Sequence, residues 1–370
     1  MYRWVKVFAM THPLNFMEIK ISDLKNLTRR PEFAAFIGLL FVVIFFGYFG
    51  WPVFTSTLVT ASWLNVAAEL GLIALPVSLV MIAGHLDLSV GSIMAAGAMT
   101  YAILTGHFGL PDYIGLPAGL AVGTFFGFLN GLIVTKTKVS SFIVTLSMMF
   151  GLRGLVFGIT RLTTSTVLVP VEVSEMVRST FGGRLYKTFE NAIVLWVIMA
   201  IIVSWILYKT KYGNWVLALG GDKTFARAAG VPVERVTIGL FMGSGFGSAL
   251  LGITQVALYG SAQVSAGQSY VFYSIIAVVV GGVLLTGGYG SPIGVIFGTL
   301  TFAIVSQGIY STGWDSDWAS LILGTLLLIA VISNNTFRQL ALSAGDKVET
   351  KPTTSKEPAE IKVTQEATND

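Results

Sequence analysis

Apolar runs long enough to cross the roughly 30 Å of a bilayer's hydrocarbon core alternate along this chain with short polar stretches. Ten runs stand near residues 33–50, 62–83, 88–106, 115–134, 139–160, 191–208, 236–258, 271–286, 292–310 and 317–333. The pattern predicts an all-α polytopic membrane protein of about ten transmembrane helices, occupying 33–335. A basic segment, 1–32, precedes the first run and lacks an apolar core long enough for a cleavable signal peptide. Insertion is therefore expected to rely on the later runs. A polar tail, 336–370, follows the last run; from Gly345 on it has almost no bulky apolar residues and is expected to be disordered.

Composition agrees. The chain is 54% hydrophobic and 11% charged, with a mean hydropathy of +0.76, whereas soluble domains carry about 25% charged residues. The net charge of +4 points to orientation in a lipid bilayer and not to nucleic acid, because the basic residues are spread over loops. With the N-terminus cytoplasmic, 18 of the 23 Lys and Arg fall on the inner side. Four (Arg161, Arg178, Arg184 and Lys187) share the one long outer loop, 161–190, and Arg153 lies in or near a span. An odd number of spans, or the opposite orientation, spoils this separation. The expectation is ten spans with both termini inside.

One polar island stands out in the inner loop 209–235: GGDKTFARAAGVPVERV, residues 220–236. Asp222 is suited to cap a helix N-terminus. Gly230 is suited to stop one, and Pro232 prevents its continuation. The helix between them has about two turns and is marginal unless it packs on something. Phe225, Ala226 and Ala229 are placed on one side of it, with Lys223 and Arg227 four apart. A small helix docking on another protein and a plain charged loop both fit this spacing.

The spans carry small residues at helical spacing. Gly119, Gly123, Gly127 and Gly131 form a ridge at intervals of four, and Gly243–Gly247 and Gly294–Gly298 repeat the device. Such ridges let backbones approach in lipid, so they predict a tightly packed bundle. The run GSGFG at 243–247 is no dinucleotide loop, since no strand precedes it. GHLDLSVGS at 84–92 and GVLLTGGYGS at 282–291 echo each other weakly, and both are placed at the inner side. Glycine-interrupted segments at corresponding places in two halves are a pointer to a transport pathway.

Ionisable residues inside the spans are Glu69, Arg153 and, at an edge, Asp87. Each costs about 2.5–3.5 kcal/mol at a bilayer centre if unpaired. Glu69, with Asn65 one turn earlier, either lines a polar path or locks the bundle through an interhelical hydrogen bond. Asp87 is expected to cap the start of the third span, with His85 beside it interfacial. The chain has no cysteine, its histidines (His12, His85, His107) are scattered, and no Gly-Lys pair exists to form a phosphate loop. The reading is a protein with no catalytic residue, no metal and no cofactor of its own.

Four stretches resemble the permease subunits of bacterial ATP-binding-cassette importers for sugars of the ribose, xylose and arabinose type. They are LNVAAELGLIALPVSLVMIAGHLDLSVGSIMAAGAM (64–99), LNGLIVTKTKVSSFIVTLSMMFGLRGL (129–155), the island at 220–236, and GSAQVSAGQSYVFYSIIAVVVGGVLLTGGYGSPIGVIFGTL (260–300). Together they span about residues 60–330, in the family's order. His85 departs from a glycine of the family's GGIDLSVGS pattern, Asp222 from an asparagine, and Phe225 from an alanine.

The resemblance implies a multi-pass permease of the bacterial inner membrane. It implies a second permease protomer, an extracytoplasmic solute-binding protein, and ATPase subunits that hold ATP and Mg. It makes the short helix the coupling helix, lodged in a groove on the ATPase. Lys223, Phe225, Ala226, Arg227, Ala229 and Gly230 then form the coupling surface, with Phe225 and Ala226 packing and Arg227 making a polar contact. Relatives also carry nucleosides, polyols, furanones and amino acids, so the solute stays open. The competing readings are a proton-coupled secondary transporter working through Glu69, and a membrane scaffold that transports nothing.

Overall fold

The computed structural model describes residues 31–315 and, beyond them, 317, 318, 320–322, 324, 325, 328 and 329. The basic N-terminal segment, most of the expected tenth span and the polar tail lie outside the described residues. The described chain is helical with two small strand pairs. Its long helices are α1 (Pro31–Phe49), α2 (Thr57–Ile82), α3 (Val90–Tyr101, continuing in wide turns over Ala102–His107), α4 (Asp112–Thr137) and α5 (Ser141–Thr164). They continue with α6 (Ala192–Lys209), α7 (Lys211–Gly221), α8 (Lys223–Ala228), α9 (Val233–Tyr259), α10 (Tyr270–Val280) and α11 (Pro292–Thr312). Among the described residues seven helices are long and apolar enough to cross a membrane: α1, α2, α4, α5, α6, α9 and α11.

One expectation is refined. The run 271–286 is not one continuous transmembrane helix. Helix α10 stops at Val280, where Gly281 and Gly282 (φ +88°) turn the chain. Its 11 residues reach only about 16 Å, half the hydrocarbon thickness. The inner loop 209–235 holds the amphipathic helix α7 as well as α8. The outer loop 161–190 is also structured. Strand β1 (Leu168–Pro170) pairs antiparallel with β4 (Ser261–Gln263), and β2 (Arg184–Tyr186) forms a hairpin with β3 (Phe189–Glu190).

Helix limits follow local chemistry. Ser56, Ser140 and Ser291 accept from the backbone N–H groups of Val59, Ile143 and Gly294, capping α2, α5 and α11. Gly260 and Gly313 close α9 and α11 in the left-handed region. The connections gather at two ends of the bundle, as the alternation of spans requires. Loops 83–89 and 281–291 meet α7 at one end; β1, β4 and the hairpin lie at the other.

The core is α2, buried over most of its length, flanked by α9, α11 and α6. The predicted glycine ridge forms the seam of α4. Cβ atoms added at Gly119 and Gly131 would stand 2.7 Å from Gly97 O and 2.6 Å from Ile238 Cα. One at Gly123 would stand 2.7 Å from Gly245 O and collide with Ala249 Cβ, and one at Gly127 would collide with Phe241 O. The second ridge, Gly294–Gly298, packs in the same way on Gly281.

This seam is testable. Gly123→Leu should destabilise the detergent-purified protein by about 1–3 kcal/mol or more through overpacking. Gly243→Leu, on the exposed face of α9 with nothing within 4 Å of its added Cβ, should leave thermal stability near wild type. Equal melting temperatures for the two variants would refute the packing account.

Candidate functional site

At the end that carries α7 and α8, Asp222 caps the short helix as expected. Its Oδ1 accepts from the N–H groups of Thr224 (2.7 Å) and Phe225 (2.8 Å). Helix α8 ends at Ala228, the chain turns at Gly230 (φ +84°), and Pro232 precedes α9. The sequence placed Phe225 and Ala226 together, but they face different ways, because successive helical residues lie about 100° apart. Ala226 is fully buried, and its carbonyl accepts from Val231 N at 3.0 Å, which anchors α8 to its own chain; Phe225 is 71% exposed. Lys223, Arg227, Ala229 and Gly230 are also exposed. Arg227 faces Glu234 at 3.9 Å, and Lys136 faces the same carboxylate at 3.6 Å. Both pairs are solvated and contribute at most about 1 kcal/mol; they tie α8 loosely to the bases of α4 and α9.

Beneath α8 three backbones meet. Gly288 N donates to Ile82 O at 2.8 Å, and a Cβ on Gly287 would stand 2.6 Å from Gly84 Cα. Gly220, at the end of α7, is wedged between Ile82 and Gly288. The two loops that echoed each other in sequence are thus in contact, and the helix leading into α8 joins them. His85 packs on Phe241 with ring centroids 5.9 Å apart. Burial, and then the charge of Lys223, lower its pKa to about 4, so its imidazole is neutral at physiological pH.

Asp87 is buried. It does not cap α3 directly. Its Oδ1 accepts from Ser89 N (3.0 Å) and Ser89 Oγ (2.6 Å), and its Oδ2 from Ser244 Oγ (2.8 Å) on α9. Asn130 Nδ2 on α4 donates to Ser89 Oγ at 2.7 Å. Leu86 N and Leu88 N donate to Ser141 Oγ and Thr145 Oγ1 of α5, each at 3.1 Å. Loop 83–89 is therefore a polar hub joining α3, α4, α5 and α9.

At the opposite end Glu69 is buried, and its Oε2 accepts from Gln255 Nε2 (2.8 Å) and Tyr270 OH (2.9 Å). Gln255 Nε2 also donates to the Tyr270 oxygen at 2.9 Å. This ties α2, α9 and α10 together, which is the interhelical lock. Asn65 does something different. It clamps the hairpin, its Nδ2 donating to Thr188 O (2.9 Å) and its Oδ1 accepting from Glu190 N (3.0 Å). Both of its polar atoms are committed to backbone. Arg153 meets the Gln268 amide oxygen at 2.9 and 3.2 Å, in the amide orientation that satisfies both groups. No group of three or more metal-ligating side chains is found among the described residues.

Gln255, Tyr270, Ser244 and Asn130 were missed from sequence. Each is an uncharged polar residue inside an apolar run or, for Tyr270, at its edge. Asking which residue could satisfy each intramembrane carboxylate would have flagged such residues as candidates.

Comparison with known proteins agrees with this architecture. The family model described as branched-chain amino acid transport system / permease component matches residues 59–331. The fructose import permease protein FrcC of Rhizobium meliloti is 32% identical over 309 residues, covering 82% of this chain and 83% of that protein. The ribose import permease protein RbsC of Bacillus subtilis is 32% identical over 300 residues, covering 80% and 90%. The inner membrane ABC transporter permease protein YjfF of Escherichia coli is 31% identical over 287 residues, covering 76% and 84%. No solved structure matches the chain.

The hairpin clamp has a pH signature. Burial, and then the nearby Glu69 charge, push the half-buried Glu190 carboxyl up to about 7 against the partial opposition of Arg184. Between about 4.5, the value of a free side chain, and 7 the folded chain holds a proton that the unfolded chain has lost. Stability contributed here is present below that window and falls as pH rises through it. The melting temperature of wild type should drop between pH 5.5 and 8 by a few degrees more than that of Glu190→Gln. Parallel pH profiles would contradict the assignment.

Proposed function

The chain belongs to the family of transport-system permease components, a multi-pass protein of the inner membrane, and from this we propose that it is the permease subunit of an ATP-binding-cassette importer for a monosaccharide or related polar solute. The observation that carries the reading is the exposed Phe225 on a short helix whose cap and anchor, Asp222 and Ala226, belong to its own chain. A bulky aromatic exposed on a pre-formed helix outside the apolar spans is suited to anchor a partner. On this reading α8 seats on an ATPase subunit that binds ATP and Mg, and the end bearing α7 and α8 is cytoplasmic. A second permease protomer completes the membrane unit, and an extracytoplasmic solute-binding protein delivers the solute to the end bearing the hairpin. The sugar class is suggested by the names of the relatives, which are fructose and ribose import permeases.

A mechanical route follows from the contacts. Displacement of α8 moves α7, whose last turn at Gly220 is wedged between loops 83–89 and 281–291. The first loop leads into α3 through the Asp87 hub; the second joins the half-helix α10 to α11. Helix α10 carries Tyr270, one of the two donors to Glu69. Docking motion at one end is thus joined through packed backbone to the polar lock at the other. Such a rigid-body shift between two packed states is the form that alternating access takes.

Phe225→Glu should leave the chain inserted at its normal level, because this side chain makes no buried contact. Recovery of the ATPase on co-purification in mild detergent should fall about tenfold or more, as for loss of a buried aromatic anchor. Normal recovery, with normal stimulation of ATP hydrolysis, would defeat the coupling role.

A further inference from the structure

Helix α10 covers half the membrane thickness, so residues 260–269 must supply the rest of that crossing. Irregular backbone at membrane depth is tolerated only where protein covers it or where it lines a cavity. Most of this segment is covered. Strand β4 pairs with β1, and Gly267 and Gly91 approach so closely that a Cβ on either would collide with the other's carbonyl. One face is not covered. It walls a cavity of about 260 Å³ between the segment, α3 and α9.

The lining of this cavity is chemically specific. Gln255, Tyr259, Ser261 and Gln263 supply amides and hydroxyls, Met94 and Ala98 supply an apolar wall, and no lining side chain is charged. The volume lies below the roughly 300–1,000 Å³ of pockets that hold drug-sized ligands. Gln255 is held in one orientation: Glu69 and Tyr270 both engage its Nε2. Its Oε1 has no hydrogen-bond partner among the described residues and is free to accept from a solute hydroxyl.

We propose that this cavity is a transit subsite for a small, uncharged, hydroxyl-rich solute, a single sugar ring or polyol. Gln255 makes the polar contact, and Glu69 and Tyr270 are positioning residues. The inference rests on the importer reading above and deepens it. Amides satisfy hydroxyls without the desolvation that a charged side chain would demand, and the open face of Tyr259 suits the C–H side of a sugar ring. Few and weak contacts are what a transit site requires, because the solute must also leave. Glu69 thereby has a role that involves no proton transfer.

The test uses the complete transporter, with its ATPase and binding protein, in proteoliposomes with radiolabelled D-ribose and D-fructose. Gln255→Leu should lower the maximal uptake rate about tenfold, while the half-saturating sugar concentration, set by the binding protein, moves less than about twofold. Glu69→Leu should do the same. Glu69→Gln should recover uptake to within about threefold, since its amide oxygen still accepts from Gln255 and Tyr270. A merely structural role would instead lower the amount of assembled complex.

The chain contains no cysteine, so Ser261→Cys gives a second readout independent of Gln255. Aminoethyl methanethiosulfonate should block uptake in that variant, and transported sugar should slow the block. Normal uptake by Gln255→Leu, or a block of the Ser261→Cys variant that sugar does not slow, would overturn the subsite while leaving the importer standing. Complete loss in Glu69→Gln, with ATPase association intact, would overturn the positioning role in favour of proton coupling. A wild-type complex that hydrolyses ATP yet moves neither sugar would remove the sugar reading, and the subsite with it.

Discussion

The structure depends on how closely helical backbones can approach when lipid surrounds them. No hydrophobic force drives helix against helix in a bilayer, so contact must come from van der Waals packing at short range. Glycine supplies that range here. The α4 ridge from Gly119 to Gly131 lies against Gly97 of α3 and against Gly245, Phe241 and Ile238 of α9, with no room for another carbon. The same device joins α10 to α11 at Gly281 and Gly294, and the irregular segment to α3 at Gly267 and Gly91. With this spacing fixed, the buried polar groups fall within reach of one another.

Those polar groups sit in two clusters, one toward each end. Asp87 is held by Ser89 and Ser244, with Asn130 behind Ser89; Glu69 is held by Gln255 and Tyr270. A carboxylate in a low-dielectric interior is tolerated only when its oxygens are hydrogen-bonded. Each cluster draws its donors from different helices, so each carboxylate crosslinks the bundle. The two clusters also mark the places where regular helix gives way. Loop 83–89 interrupts the chain beside Asp87, and α10 begins at Tyr270 beside Glu69. Fixed helices with broken connections at opposite ends are the parts from which a switch between two packed states can be built.

The junction at Gly84, Gly220 and Gly287 links these parts to the surface. It has backbone against backbone on three sides, which leaves little play between α7 and the two loops. A load applied to α8 therefore passes into α3 and α10 more directly than it could through flexible side chains. Phe225 and Ala226 divide the work on that helix, one facing out and the other holding it to its own chain.

Much of the fold was legible in the chain itself. Hydropathy located the long helices, because burial of backbone polar groups in lipid forces continuous helix wherever an apolar run is long enough. The glycine ridge, the Asp222 cap and the Gly230 stop were legible for the same reason: each is a local constraint written at fixed spacing. The break at Gly281 was not legible in the run 271–286, since an apolar run looks alike whether it is one continuous helix or a half-helix that ends in a turn. The roles of Asn65 and Glu69, one turn apart on α2, separated only when the hairpin and α10 came to lie against them. The different faces of Phe225 and Ala226 likewise waited on how α8 sits against α9. Sequence thus determined the elements, whose rules act over a few residues. The tertiary structure decided the partners of the buried polar groups, because a hydrogen bond between residues 69 and 255 depends on which helices are neighbours in space.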